Sequence, residues 1–195
     1  MNSTRNNDIS NGSKSFRLVF YTLMAALFMA CSNPYQQEIS LVTNLQDQVE
    51  ECEDIVEELD AEKIREMNDE YGKIMAVIKQ KYIGDTSVVD QRFGRMANMY
   101  KGVKRSKGFT AGKENILFQI SFTKTQLENL KDDLVNKDIS DPDTVALYVQ
   151  MEQSSVTEIK IVAEKLRSNY EILMGVQDTV YPYMVGIVDS LNNIK

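Results

Sequence analysis

The sequence predicts an all-α protein: an elongated antiparallel helical bundle or coiled coil of three to four long helices. Apolar residues recur at alternating steps of three and four over long stretches, which is the spacing of a coiled-coil seam. Only 9 glycines and 3 prolines occur in 195 residues, so long segments lack residues that interrupt helices. The two cysteines are too few for a disulfide framework. We therefore expect residues 31–195 to form a single elongated helical domain after an N-terminal segment, 1–30.

That N-terminal segment has the layout of a signal peptide. Residues 18–30 carry no charge and are almost all apolar, and Arg5, Lys14 and Arg17 make the preceding segment net positive. The apolar run is shorter than the roughly 20 residues of a membrane-spanning helix. An uncleaved single-pass anchor and a short buried helix remain as alternative interpretations.

The end of the apolar run resembles a bacterial lipobox. In Leu27-Phe28-Met29-Ala30-Cys31 a small residue directly precedes a cysteine, although Phe28 and Met29 differ from the residues usual at their places. The resemblance implies that Cys31 carries lipid and becomes the mature N-terminus, that residues 1–30 are a lipoprotein signal peptide, and that the protein is attached to a membrane through its N-terminal lipid.

The net charge and the number of cysteines further narrow the class of protein. Loss of the leader would move the formal net charge from −7 to −9, because the leader carries three basic residues and one acidic residue. An acidic chain of this kind argues against binding to nucleic acid, which requires clustered cations. If lipid occupies Cys31, Cys52 has no intrachain partner. Cys52 lies on an apolar stripe, so it is predicted to be a small buried hydrophobe, with an intermolecular disulfide across a parallel dimer as the alternative.

The first helix is predicted from Gln36 to Tyr82. Its seam slips by one position around Lys63, which would locally unwind a supercoil. Nine carboxylates and no basic residue occur between Asp47 and Glu62. They spread around the helix, so they predict a solvated acidic face or a docking surface for a basic partner. The seam positions are Val42, Leu45, Val49, Cys52, Val56 and Leu59, followed by Met67, Tyr71, Ile74 and Ile78.

A break at residues 83–85, with Asp85 as N-cap, is predicted to precede a second helix over residues 86–104, and a third helix is predicted from Ala111 to Asn136. A basic turn lies between them. It lacks the glycine spacing and the Ser or Thr after lysine of a phosphate-binding loop. It could still hold anionic groups of an envelope, or it could simply connect two helices. Its candidate anion-binding residues are Lys101, Lys104, Arg105, Lys107 and Lys113.

The second and third helices can be arranged in two ways. As a short hairpin against half of a long pair, they would give an uneven four-helix bundle and return the C-terminus near the lipid anchor. As one bent arm of a three-helix rod, they would place the C-terminus at the far end. The hairpin is favoured because Gly102, Gly108 and Gly112 make a continuous helix costly, at about 1 kcal/mol each.

The fourth helix is predicted to begin after Asp141, with Pro142 at its first position. The nearby aspartates do not form an EF-hand, because Ala146 occupies the glycine position of such a loop. Asn169 on the seam is a candidate for setting the helix register. Pro182 should kink or end the helix, which then resumes. The seam positions are Val145, Tyr148, Glu152, Ser155, Ile159, Val162, Leu166, Asn169, Leu173, Val176 and Val180.

The lipobox followed by an all-helical chain resembles the uncharacterised coiled-coil lipoproteins of Bacteroidota, over residues 16–195. That resemblance implies an outer-membrane lipoprotein on the periplasmic or surface face of the cell envelope. Three short segments also resemble the acceptor pattern for O-glycosylation in that phylum: Asp143-Thr-Val145, Asp178-Thr-Val180 and Asp189-Ser-Leu191.

An enzymatic function has little support, because the chain contains no histidine for a nucleophile–base pair or a zinc–His site. No catalytic residue, metal or cofactor is predicted. The first hypothesis is a non-catalytic helical spacer or interaction protein that contacts a protein partner, or itself, through helix seams. The alternative is an envelope ligand-binding protein that holds anionic glycan or lipid at the basic turn 101–113. A phage outer-membrane spanin is a third hypothesis.

Overall fold

The computed structural model describes residues 33–82 and 91–193 and confirms the all-α bundle. Within those two ranges the regular structure is helical throughout, with no strand. The predicted break at 83–85, the Asp85 cap and the leader 1–30 with Cys31 lie outside the described residues. The helices are α1 (Gln36–Glu57), α2 (Ala61–Lys81), α3 (Gln91–Tyr100), a 3₁₀ segment (Lys101–Gly108), α4 (Phe109–Asn136), α5 (Pro142–Thr179) and α6 (Tyr181–Asn193).

These elements form three arms. The first arm is α1 with α2, the second is α3, the 3₁₀ segment and α4, and the third is α5 with α6. Lys124 Nζ donates to Glu53 Oε2 at 2.6 Å, and Asn33 Nδ2 donates to the carbonyl oxygen of Leu134 at 2.9 Å. The second arm therefore runs antiparallel to the first, and the third returns in the direction of the first.

The favoured hairpin of the second and third predicted helices is wrong, and the bent arm is what forms. Tyr100 and Phe109 have right-handed helical dihedrals on either side of the 3₁₀ segment, so the chain continues in one direction through the glycines. Lys81 Nζ donates to Asn192 Oδ1 at 2.7 Å. The end of α6 therefore lies at the opposite end of the rod from Asn33, as a single bent arm requires.

The single helix predicted over Gln36–Tyr82 is also wrong, because two helices form in its place. Asp60 has an extended backbone and its side chain accepts a hydrogen bond from the main-chain N–H of Lys63 at 2.9 Å, which caps α2. Leu59 before the cap and Ile64 after it are both buried. The slip in the apolar seam is thus accommodated by a break in the helix instead of by local unwinding of a continuous one.

The three arms enclose two cores of different character. The core around α1 is almost wholly aliphatic, and Cys52 is buried in it as a free thiol, which confirms the simpler interpretation of that residue. The core around α2 differs in that methionines and tyrosines pack in and around it, most of them at partly buried positions: Tyr71, Met75, Met96, Tyr170, Met174, Tyr181 and Tyr183. Its buried members are Leu59, Ile64, Met67, Ile74, Ile78, Tyr100, Val103, Phe109, Leu173, Val176, Val180 and Met184.

The predicted seam of the fourth helix is wrong by one position at Tyr148, Ser155 and Val162, whereas Val145 and Ile159 are buried as predicted. Val149, Val156 and Ala163 are buried, whereas the neighbouring Tyr148 and Val162 are exposed. At Tyr148–Val149 and Val162–Ala163 both adjacent residues fit the three-and-four spacing, and the smaller side chain occupies the interior. At Ser155–Val156 the apolar valine is buried instead of the serine. Asn169 is exposed, so it cannot set the register from the core.

The ends of the third arm follow the sequence closely. Asp141 caps α5, with its carboxylate accepting hydrogen bonds from the main-chain N–H groups of Asp143 and Thr144. Pro142 lies in the first turn, where a missing N–H costs nothing. Pro182 lies in the first turn of α6, next to the boundary with α5, as the predicted interruption requires.

Candidate ligand-binding groove

The basic turn predicted between two helices is itself helical. The 3₁₀ segment contains eight residues, although runs longer than three or four are uncommon for this helix type. The side chains of Lys101, Lys104 and Lys107 are exposed, and the side chain of Arg105 lies outside what the structure describes. A helical backbone directs its N–H groups along the axis, so the segment does not form a phosphate-cradling loop.

Lys113, the fifth predicted anion-binding residue, is engaged elsewhere. Its Nζ donates to the carbonyl oxygens of Glu57 at 2.9 Å and Leu59 at 2.6 Å. Glu57 is the last residue of α1 and Leu59 lies just beyond its end, where main-chain carbonyls lack partners within the helix. The ammonium therefore binds the negative end of a helix dipole, and the structure does not bring Lys113 together with the lysines of the 3₁₀ segment.

A groove of about 520 Å³ lies between the 3₁₀ segment and α5. Two of its lining residues are Gly102 and Gly108, and a Cβ built at either position would meet no atom within 4 Å. The space beside the 3₁₀ segment is thus left open by residues without side chains. The remaining lining residues are Met99, Ser106, Phe109, Leu166, Asn169, Ile172, Leu173 and Val176.

Polar contacts fix the wall of this groove. Ser106 is buried, its hydroxyl donates to the carbonyl oxygen of Val103 at 2.6 Å, and its oxygen accepts from Asn68 Nδ2 at 2.5 Å. Asn68 also donates to the carbonyl oxygen of Ile64 at 3.1 Å. These bonds attach the 3₁₀ segment to α2. Because the Ser106 proton is directed at a main-chain carbonyl, the arrangement offers it no general base and suits binding better than nucleophilic chemistry.

A second concavity opens beside the groove. It is lined by Asn98, Lys101, Gly102 and Lys104, and Gly102 belongs to both concavities. None of the described residues that line the two is acidic. The arrangement is therefore amphipathic, with an apolar groove at one end and two lysines with an amide at the other.

Behind the 3₁₀ segment lies a cluster of tyrosines. Tyr100 is almost wholly buried, its ring centroid lies 5.1 Å from that of Tyr71, and its hydroxyl has no hydrogen-bond partner among the described residues. Burial, followed by the nearby Tyr181 and Glu70, raises the pKa of Tyr100 far above its usual range.

The sequence indicated the cations of this site but not its groove. Asn169, predicted in the core, is instead an exposed residue of the groove lining. The pair Gly102 and Gly108, which flank Ser106 in a helical stretch, was the signal that could have revealed it. Glycines in a helix interior cost stability, so two of them indicate that space is needed there.

The described helices also show the surroundings of the other predicted sites. In the three segments that resemble glycosylation acceptors, the hydroxyls of Thr144, Thr179 and Ser190 donate to Asp141, Gly175 and Gly186, respectively. Over 33–82 and 91–193 no helix is long and apolar enough to cross a bilayer. In the same ranges no three or more Cys, Asp or Glu side chains are placed so that together they could hold a metal ion.

Comparison with known proteins gave no relative: no family model matches the chain, and neither the curated proteins nor the solved structures contain a match.

Proposed function

We propose that the chain is a non-catalytic lipoprotein that acts as a helical spacer and interaction protein in a bacterial cell envelope, attached to the outer membrane through lipid on Cys31. The observation that carries this proposal is the position of Asn33. Two residues after Cys31, its side chain donates to the carbonyl oxygens of Leu134 and Val135 at one end of the rod. An attachment at Cys31 would hold the rod by that end.

The length of the rod supports the role of a spacer. The first arm contains helices of 22 and 21 residues, which at about 1.5 Å per residue corresponds to roughly 65 Å. The end distant from Asn33 carries the core in and around which methionines and tyrosines pack. A protein held at Asn33 would thus present that end well away from the membrane surface.

Exposed apolar side chains support the role in interaction. Phe118 and Phe122 are 71% and 57% exposed and lie one turn apart on α4, while Ile161 and Ile172 are exposed on α5. Large apolar residues that lie together on an outer helix face indicate a contact with another protein. A partner or a second copy of the chain would bury them.

The tether is tested by metabolic labelling with a fatty-acid analogue and by membrane fractionation of the full chain. We expect label and membrane association in the wild type and in Cys52→Ala, and loss of both in Cys31→Ala. Cys52→Ala is the matched control because it removes the other cysteine. An unlabelled chain that still begins at Met1 and remains in the cytosol would refute the proposal.

The interaction role is tested with a photo-crosslinking amino acid placed at Phe118 or Phe122 in cells, and at the exposed Gln119 as the control. We expect one discrete adduct from the two phenylalanine positions and much less from Gln119. Equal, diffuse adducts from all three positions would argue that α4 faces only solvent.

The second candidate function is ligand binding at the basic segment. The observation that favours it is the concavity at Lys101 and Lys104, which shares the lining residue Gly102 with an apolar groove. Binding of an anion there should weaken steeply as salt increases and disappear when Lys104, Arg105 and Lys107 are replaced by Ala. A helix-face interaction should respond to neither change.

A further inference from the structure

We infer that the groove and its basic end bind a free single-chain anionic amphiphile, with an alkyl tail along the groove and a carboxylate-like head at Lys101 and Lys104. This inference rests on the second candidate function and names its ligand class. It does not depend on lipid at Cys31, because both concavities lie within the rod.

The walls of the groove suit an alkyl chain. Its volume of about 520 Å³ lies within the range of about 300–1,000 Å³ that is typical of small-molecule sites. Phe109, Leu166 and Leu173 supply apolar surface, and Ile172, which is 62% exposed, lies at the rim. Phe109 and Leu173 are already buried, so a tail in the groove would mainly remove the exposed apolar surface of Met99 and Ile172 from water.

The basic end suits an anionic head. Lys101 and Lys104 line it together with Asn98, and the Lys101 ammonium already lies 3.4 Å from Asn98 Oδ1. An ammonium binds an anion as a compact charge with rotatable donors. The chain has a net charge of −7. None of the described residues that line the basic end with the two lysines is acidic, so this end favours a negatively charged ligand.

The same lining argues against the other ligands that a basic segment could hold. A glycan needs many polar partners, whereas Ser106, which is already paired, and Asn169 are the polar side chains among the residues of the groove. A bilayer surface needs a flat array of cations, but here Gly102 joins the lysines to a recess. An alkyl chain with one charged end matches both parts.

The test measures the binding of three probes to the full chain by calorimetry. Every protein sample is solubilised by the same mild procedure, the salt concentration is low, and each probe is kept below its micelle concentration. Dodecanoate carries tail and head, dodecyltrimethylammonium carries the same tail with a cation, and butanoate carries the head with a short tail. We expect dodecanoate to bind at least about tenfold more tightly than either of the others, a difference that corresponds to about 1.4 kcal/mol.

Variants locate the two ends of the ligand. Gly108→Leu should fill the groove and reduce dodecanoate affinity at least about tenfold, while Gly72→Leu, also with open space around its Cβ, should not. Ile172→Asp, a change at an exposed rim position, should weaken binding even if Gly108→Leu fails to fold. Lys101→Glu with Lys104→Glu should abolish the preference for dodecanoate over dodecyltrimethylammonium, whereas Lys73→Glu with Lys79→Glu should preserve it.

The possible failures are distinguishable. Butanoate that binds as tightly as dodecanoate would overturn the amphiphile but retain an anion site at the basic segment. Equal binding of dodecanoate and dodecyltrimethylammonium, or no binding of any probe, would overturn both the amphiphile site and the anion site. Tight binding of dodecanoate that is unchanged in Ile172→Asp would place the tail elsewhere. The protein could also sediment with anionic vesicles while free dodecanoate neither binds nor reduces that sedimentation. This result would assign the lysines to a membrane surface instead.

Discussion

The ammonium of Lys113 in α4 donates a hydrogen bond of 2.6 Å to the carbonyl oxygen of Leu59, the buried residue that follows the end of α1. It donates a second, of 2.9 Å, to the carbonyl oxygen of Glu57. The last carbonyls of a helix lack partners within it, and a cation at that end also interacts favourably with the helix dipole. One side chain of the second arm therefore stabilises the break in the first arm.

Replacement of this lysine should destabilise the rod. We expect Lys113→Met, which keeps most of the aliphatic stem, to lower the free energy of unfolding by about 1–2 kcal/mol, because two charge-assisted hydrogen bonds are lost. The measurement is urea unfolding followed by circular dichroism. Lys104→Met is the control and should change the free energy by less than about 0.5 kcal/mol, since Lys104 is exposed. Equal effects of the two substitutions would contradict the capping role.

The architecture could be predicted from the sequence because it depends on periodicity, and periodicity is a property of single helices. The spacing from Val42 to Val56 matches the buried residues of α1. Prediction was less successful where adjacent residues both fit the spacing. At Tyr148 and Val149 the choice depends on the space between the arms, which only the assembled bundle defines.

The break at Asp60 and the bent second arm could not be predicted for a different reason. The sequence around Asp60 contains a good N-cap, but a stutter explains the same seam slip without a break. The low helix propensity of glycine argued against a helix at Gly102 and Gly108. Packing of the 3₁₀ segment on α2, through the Asn68–Ser106 contact, overrides that propensity. The role of Lys113 depends on a partner more than fifty residues away, which no local pattern contains.

A buried carboxylate should make the rod more stable in mild acid. Glu152 Oε2 is buried without a hydrogen-bond partner in the part of the chain that the structure describes, and burial raises the pKa of Glu152. A raised pKa means that the native state binds the proton more tightly than the unfolded chain. The destabilisation is therefore complete above the native-state pKa and disappears as the pH falls toward the ordinary value of 4.5.

The neutral variant Glu152→Gln should show this effect directly. At pH 7 we expect its free energy of unfolding to be about 1 kcal/mol higher than that of the wild type. This difference should shrink as the pH falls toward 4.5. Thermal and urea unfolding across this pH range provide the measurement. Glu158→Gln, one turn and a half further along at an exposed position, is the control. A gain at Glu152 that does not change with pH would exclude charge burial as its cause.

The buried hydroxyl of Tyr100 should contribute nothing to stability. Within residues 33–82 and 91–193 its oxygen has no hydrogen-bond partner, and an unpaired buried polar group carries a desolvation cost. We expect Tyr100→Phe to leave the free energy of unfolding unchanged or to raise it by up to about 1 kcal/mol, as measured by urea unfolding. Tyr148→Phe, at an exposed position, should change it by less than about 0.5 kcal/mol. A loss of more than about 1 kcal/mol in Tyr100→Phe would reveal a hydrogen bond made by that hydroxyl.

The three-arm topology predicts two very different distances between pairs of spin labels. In a chain with Cys31→Ser and Cys52→Ala, labels at positions 37 and 137 should lie close together, because Asn33 contacts Leu134. Labels at positions 37 and 190 should lie roughly 60 Å apart, the length of the first arm at about 1.5 Å per residue, because Lys81 contacts Asn192. Pulsed electron–electron resonance measures both. A short distance in the second pair would restore the hairpin of the second arm and would place the end of α6 beside Asn33.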